Sequence, residues 1–157
     1  MRKLLPLALL IATAVAVVAT VTASATPSAV QSARVVISTR TLPKLGTVLV
    51  NSKGLTLYMF VPDKQKRVTC KAACAAVWPP VKLPKGAKAV ASGKAKARLL
   101  GSDPNPSGGR VVTYNHWPLY TYVADRKPGK ATGQALNLNG GLWYVLSPAG
   151  KVIKTKP

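Results

Sequence analysis

Leu55-Thr-Leu-Tyr-Met-Phe-Val-Pro-Asp63 and Trp117-Pro-Leu-Tyr-Thr-Tyr-Val-Ala-Asp125 are two copies of one stretch, 62 positions apart. Both read Leu-Tyr-x-aromatic-Val-x-Asp, so that Tyr58, Phe60 and Asp63 align with Tyr120, Tyr122 and Asp125. The protein has three acidic residues, Asp63, Asp103 and Asp125, and two of them close the two copies at the same place. In a chain of 157 residues with 23 Lys and Arg, that coincidence marks an internal duplication.

Within the first copy, alternation of side chains along a strand puts Leu55, Leu57, Met59 and Val61 on one face and Thr56, Tyr58 and Phe60 on the other. Large apolar groups on both faces predict a strand buried on both sides, inside a sandwich or barrel. Pro62 cannot donate to a ladder and ends it, and Asp63 follows where a carboxylate can accept backbone N–H groups of the next turn. The strand is preceded by a hairpin: Thr47-Val-Leu-Val50, the turn residues Asn51-Ser-Lys-Gly54, and the return at Leu55. The second copy repeats this logic, with Arg110–Tyr114 as a strand and Asn115-His116 at the reversal. A third hairpin follows from Leu142–Ser147, Pro148-Ala-Gly150 and Lys151–Lys154.

Between these units, Thr69–Val77 is the one helix candidate, rich in Ala and stopped by Trp78-Pro79-Pro80. Val81–Arg98 alternates lysines with small residues and reads as an exposed, mobile basic connector. Ser102–Gly109 reads as a loop with Asp103 as a turn residue. The expected fold is therefore mostly β: a small antiparallel domain of two pseudo-symmetric repeats, about 46–81 and about 109–154, with one short disulfide-bearing helix. It is expected to span 45–157 as a single domain, after a flexible tether over 26–44 in which only Arg34–Ser38 could add a strand.

Met1-Arg-Lys, the apolar run Leu4–Ala19 and Ala23-Ser-Ala25 have the form of a secretory signal cleaved after residue 25, an uncleaved anchor being the other reading. Export bears on Cys70 and Cys74, the only cysteines. An even pair in an oxidising compartment points to a disulfide, and a Cys-x-x-x-Cys spacing brings the α-carbons within bridging range. The formal charge of +20 favours polyanionic partners. Outside a cell those are cell-wall polymers or the headgroups of a membrane surface, with no specific nucleic acid expected and no protein partner indicated. Lys82, Lys85, Lys88, Lys94, Lys96 and Arg98, with the C-terminal lysines, are the candidate polyanion-binding residues.

Chemistry is poorly provided for. There is no Glu, one histidine and no Gly-x-Ser-x-Gly, so no catalytic residues are assigned and the protein is expected not to be an enzyme. Asp63 and Asp125 as a carboxylate pair across a pseudo-twofold axis are less well motivated than as turn caps. His116 is a weak metal candidate, since its possible partners are two thiols expected to be oxidised and Met59, expected in the core; no cofactor is assigned. Large rings in a small β domain are expected to be core, Tyr58 and Tyr120 above all, with Trp117 the most exposed.

The succession Gly-x-Thr-Leu-Tyr-x-Phe-x-x-Asp, Cys-x-x-x-Cys-x-x-x-Trp-Pro-Pro, Tyr-Asn-x-x-Pro-Leu-Tyr-x-Tyr-x-x-Asp, Pro-Gly, Gly-Gln and Gly-x-Trp-Tyr-Val resembles a bacterial secreted repeat family of unknown function. Its members are often described as predicted lipoproteins carrying a Tyr-x-(Phe/Trp/Tyr)-x-x-Asp motif, which falls here on Tyr58, Phe60, Asp63 and on Tyr120, Tyr122, Asp125. The resemblance covers about Gly46 to Val152. It implies an exported cell-envelope protein, secreted or on the outer face of the cytoplasmic membrane, with no established activity. This chain lacks the lipobox cysteine of many members. Some members occur beside envelope redox or copper proteins, which implies a second reading, an accessory of that chemistry, without giving any residue a role.

Overall fold

The computed structural model describes residues 33–64 and 67–156. In chain order its elements are β1 (Arg34–Leu42), β2 (Gly46–Asn51), β3 (Tyr58–Phe60), helix α1 (Ala73–Val77), β4 (Lys82–Leu83), β5 (Lys88–Ala91), a 3-10 turn (Ala97–Leu99), β6 (Leu100–Pro104), β7 (Arg110–Tyr114), β8 (Trp117–Pro118), β9 (Asn137–Leu138), β10 (Gly141–Leu146) and β11 (Val152–Ile153). They form three sheets, ordered β2-β1-β5, β11-β10-β3 with β9 added to β10, and β4-β7-β6 with β8 added to β7. All pairings are antiparallel except β1 with β5. The protein is thus mostly β with one short α-helix among the described residues.

The alternation read in the first copy decides the layering. Tyr58 and Phe60 belong to one core cluster with Trp78, Val111, Tyr120 and Trp143, while Leu57 and Met59 belong to a second with Ile37, Leu49, Val112, Tyr114, Leu119 and Leu146. All three residues of β3 are buried, as two apolar faces require. The strand is shorter than the sequence suggests, but its backbone stays bonded beyond its ends: Leu57 N donates to Leu49 O at 3.0 Å and Val61 N to Leu142 O at 2.9 Å.

The repeats are interlaced. β3 runs antiparallel to β10, with Phe60 opposite Trp143 and Tyr58 opposite Val145. In the second copy the segment from Leu119 to Val123 runs against Val77 to Val81: Val81 N donates to Leu119 O, Thr121 N to Pro79 O and Val123 N to Val77 O. Pro79 and Pro80 have no N–H, so this ladder is incomplete and only Trp117–Pro118 of the second copy counts as strand. At the centre, Tyr58 and Tyr120 exchange both backbone hydrogen bonds, each at 2.9 Å. Each copy of the repeated strand therefore lies between its own repeat and the other one.

Three stretches depart from the sequence reading. Arg34–Leu42, inside the stretch read as a tether, is a nine-residue strand paired along six positions with β2. Its Ile37 and Leu42 are buried, which fixes its register. Val81–Arg98 is not a mobile connector throughout: Lys82–Leu83 pairs with β7, and Lys88–Ala91 pairs in parallel with β1. Backbone pairing needs no bulky side chains, so Ala and Val between lysines suffice. Asp103 sits within β6 opposite Val111 and is 6% exposed, not at the tip of a loop. The leader read over 1–25 and the tether residues before 33 lie outside the described residues.

Helix α1 starts at Ala73, four residues later than expected. Thr69 is already committed to Asp63 through its N–H and hydroxyl, and Ala72 takes φ 47°, which no α-helix accommodates.

Candidate functional site

The residues of the duplicated motif meet at the interface between the repeats, and they do so crosswise. Tyr58 Oη donates to Asp125 Oδ2 at 2.5 Å, and Tyr120 Oη donates to Asp63 Oδ2. The remaining oxygen of each carboxylate is held locally. Asp63 Oδ1 accepts from Thr69 N at 2.7 Å and Thr69 Oγ1 at 2.6 Å; Asp125 Oδ1 accepts from Thr132 N at 3.0 Å and Thr132 Oγ1 at 2.6 Å. Each aspartate thus closes the loop that follows its own strand and also anchors the tyrosine of the opposite repeat.

Both carboxylates are buried, Asp63 at 0% and Asp125 at 2% exposure. Burial pushes Asp63 up from the ordinary carboxylate range, against the opposing pull of its hydrogen bonds from Thr69, Tyr120 and Cys70. It also pushes Tyr58 and Tyr120 well above an ordinary phenol, and the facing carboxylate adds to this in each case, because ionising the phenol would place two anions in contact. At neutral pH both tyrosines remain donors.

The aromatic residues cross in the same sense. Phe60, Trp143, Trp78 and Tyr122 form one continuous stack with centroid separations of 4.2, 3.9 and 4.1 Å, and the two indoles lie within 4° of parallel. Each motif aromatic therefore covers the tryptophan of the other repeat. Tyr58 meets Trp78 edge-on at 5.4 Å, and Tyr120 meets Trp143 edge-on at 5.2 Å. Gly133 makes room for this packing: a Cβ there would lie 2.6 Å from Trp78 Cη2 and 3.0 Å from Tyr58 Cζ. Tyr122, half-buried, is the end of the stack nearest solvent.

The other candidate residues lie elsewhere. Cys70 and Cys74 form a disulfide with Cα atoms 5.2 Å apart, at the start of α1. His116 is exposed at the β7–β8 reversal with φ 67°, and Met59 is 1% exposed in the second core, so the set His116, Met59 and a thiolate is not assembled. No group of three His, Cys, Asp or Glu side chains comes together among the described residues. Trp117 is half-buried against the second core. Lys82, Lys85, Lys88, Lys94, Lys96 and Arg98 are all exposed, as is every other Lys and Arg among the described residues.

Thr69 and Thr132 were not legible as site residues. Their only sequence signal is a threonine six residues after one motif Asp and seven after the other. Trp78 and Trp143 carry a similar weak signal, one tryptophan downstream of each Asp.

The family model of a secreted repeat of unknown function matches this chain twice, over 39–82 and 104–147, which together exceed half of its length. The chain belongs to that family. Each match takes in one Tyr-x-aromatic-x-x-Asp motif together with one tryptophan of the stack, so the crossed pairs join the two secreted repeats to each other. No curated protein and no solved structure matches the chain. Among the described residues no helix is long and apolar enough to cross a membrane.

Proposed function

We propose that this secreted-repeat protein is a non-enzymatic cell-envelope domain that associates with anionic envelope polymers through its basic surface. One observation carries the reading. All three carboxylate side chains of the protein are buried, while every described Lys and Arg is exposed. Buried, they interrupt the basic surface less than exposed acids would, on a chain whose net charge of +20 already counts them. The basic residues flank surfaces suited to polymer contact. The sheet β2-β1-β5 carries a depression of about 460 Å³ lined in part by Val36, Val50 and Asn51, where the cations of Arg40 and Lys53 and the hydroxyls of Ser38, Thr39, Ser52 and Ser92 suit phosphate or carboxylate groups. Lys82, Lys88, Lys94, Lys96 and Arg98 extend this character along the connector.

The setting is the outer side of the cytoplasmic membrane or beyond it. Long-range attraction between exposed charges is screened over about 8 Å at physiological salt, so the association must weaken steadily as salt rises. The purified chain is expected to be retained on an immobilised anionic wall polymer at low salt and released progressively by added salt, with weaker retention on anionic lipid vesicles. Absence of retention at low salt refutes the reading, and stronger retention on vesicles moves the partner to the membrane surface.

A further inference from the structure

The aromatic stack and its two hydrogen-bonded tyrosines form a unit with chemistry that polymer binding does not use. From this geometry we infer that the unit is an internal electron relay, which takes an oxidising equivalent at its surface end and settles it on Tyr58 or Tyr120. Four rings follow one another at 4.2, 3.9 and 4.1 Å, close enough for their π systems to be in van der Waals contact from Phe60 to Tyr122. Indole is among the most easily oxidised side chains, and two of them lie face to face at the centre. Both are shielded, at 0% exposure, so a radical formed there is kept from water.

Phenol oxidation is where the carboxylates matter. Loss of an electron makes a phenol a strong acid, and a buried tyrosine gives up its electron readily only when an acceptor is already in place for its proton. Tyr58 has that acceptor in Asp125 Oδ2 at 2.5 Å, and Tyr120 has it in Asp63 Oδ2. Both tyrosines touch the tryptophan pair edge-on. Tyr114 belongs to the other core cluster and Tyr144 packs against that cluster.

A one-electron oxidant of the radical class takes an electron from the stack through Tyr122 and is reduced. An electron from Tyr58 refills the tryptophan, the Tyr58 O–H bond breaks, and its proton passes to Asp125 Oδ2. The products are a neutral tyrosyl radical, a protonated carboxyl group and the reduced oxidant; for Tyr120 the proton passes to Asp63. Return of an electron, with the same proton, restores the starting state.

The test uses the Trp117→Phe chain, so that the stacked pair holds the only indoles, and azidyl radical generated by pulse radiolysis as the probe. The tryptophanyl absorption is expected to decay into tyrosyl absorption by a first-order process, at a rate independent of protein concentration and slower in D2O. Adding Tyr58→Phe and Tyr120→Phe is expected to abolish the growth of tyrosyl absorption and leave the tryptophanyl radical long-lived. Tyrosyl growth that persists unchanged in that variant, or that depends on protein concentration, overturns the inference. Should the triple variant not fold, the single variants Tyr58→Phe and Tyr120→Phe in the same background each lower the tyrosyl yield; unchanged yield in both overturns it equally. Asp63→Asn with Asp125→Asn separates proton acceptance from packing, since it is expected to suppress the tyrosyl signal and its D2O effect while both tyrosines remain.

Discussion

Replacing Tyr58 by Phe removes one oxygen atom and leaves the ring, and therefore isolates the hydrogen bond that crosses between the repeats. The ring still meets Trp78 edge-on, so the cavity left behind is smaller than a methyl group and contributes little. What changes is Asp125. Its Oδ2 loses the donor at 2.5 Å, while Oδ1 keeps Thr132 N and Oγ1, and the carboxylate is 2% exposed, so water cannot take the place of the phenol without opening the interface. Hydrogen bonds to a charged group are worth about 1.5–3 kcal/mol, and removing one partner of a buried pair realises that loss fully. Gly133 N, which donates to Tyr58 Oη at 3.2 Å, loses its acceptor as well, and this places the expected cost in the upper part of that range, about 2–3 kcal/mol. For a domain of this size the midpoint of thermal unfolding should fall by about 6–12 °C. Urea denaturation followed by tryptophan fluorescence gives the cost directly, with Tyr144→Phe as a control for losing a phenol outside the crossed pair. By the pseudo-twofold relation Tyr120→Phe should cost a similar amount. A loss below about 0.5 kcal/mol for Tyr58→Phe would refute the view that the crossed bonds hold the repeats together, since it would equal that of an ordinary surface change.

Alkali should act on the same pairs. Folded-state values raised above the ordinary phenol value mean that stability is intact below about pH 10 and is lost as pH rises further, by about 1.4 kcal/mol per pH unit for each buried tyrosine and about 2.7 for both; urea titrations across that range should show a slope halved in Tyr58→Phe. Asp63, also raised, contributes stability below the ordinary carboxylate range that is lost as pH rises through its raised value, and Asp63→Asn should remove that pH dependence in acid denaturation curves. Gly133→Ala drives a Cβ to 2.6 Å from Trp78 and should cost about 1–3 kcal/mol by overpacking, read as a drop in the urea midpoint and a change in tryptophan emission. Cys70→Ser with Cys74→Ser opens a loop of sequence separation 4, small enough that chain entropy supplies only about 2 kcal/mol, so the variant should remain folded by circular dichroism with a lowered midpoint.

Local patterns were legible and distant pairings were not. Leu57 and Met59 alternating with Tyr58 and Phe60 announces a strand buried on both faces, because side-chain direction along a strand is fixed by the backbone alone. The Cys70–Cys74 disulfide follows from spacing and compartment in the same local way. The identity of the group that satisfies each Asp has no such signature. Asp63 was readable as a cap for the turn after its strand, and Thr69 does bond it there, but its second oxygen is met by Tyr120, 57 residues away. Nothing in the composition around Asp63 marks that tyrosine over Tyr58 of its own copy. The connector misled for the opposite reason: a high density of lysines lowered its apparent tendency to order, whereas Lys88–Ala91 is held by the backbone of β1 and needs no burial of its lysine.

The crossing also explains why the motif occurs twice in one chain. A single copy would present a tyrosine without its carboxylate, an aspartate with one oxygen unmet, and a tryptophan with both faces bare, all in positions that the folded protein buries. Buried polar groups left unpaired cost more than the fold of so short a segment can supply. Two copies remove each of these deficits at once, because Tyr58 satisfies Asp125, Tyr120 satisfies Asp63, Phe60 covers Trp143 and Tyr122 covers Trp78. The exchange of both backbone bonds between Tyr58 and Tyr120 sets the axis on which this happens. The duplicated Tyr-x-aromatic-x-x-Asp stretch is thus half of an interface, and only a second half of the same kind completes it.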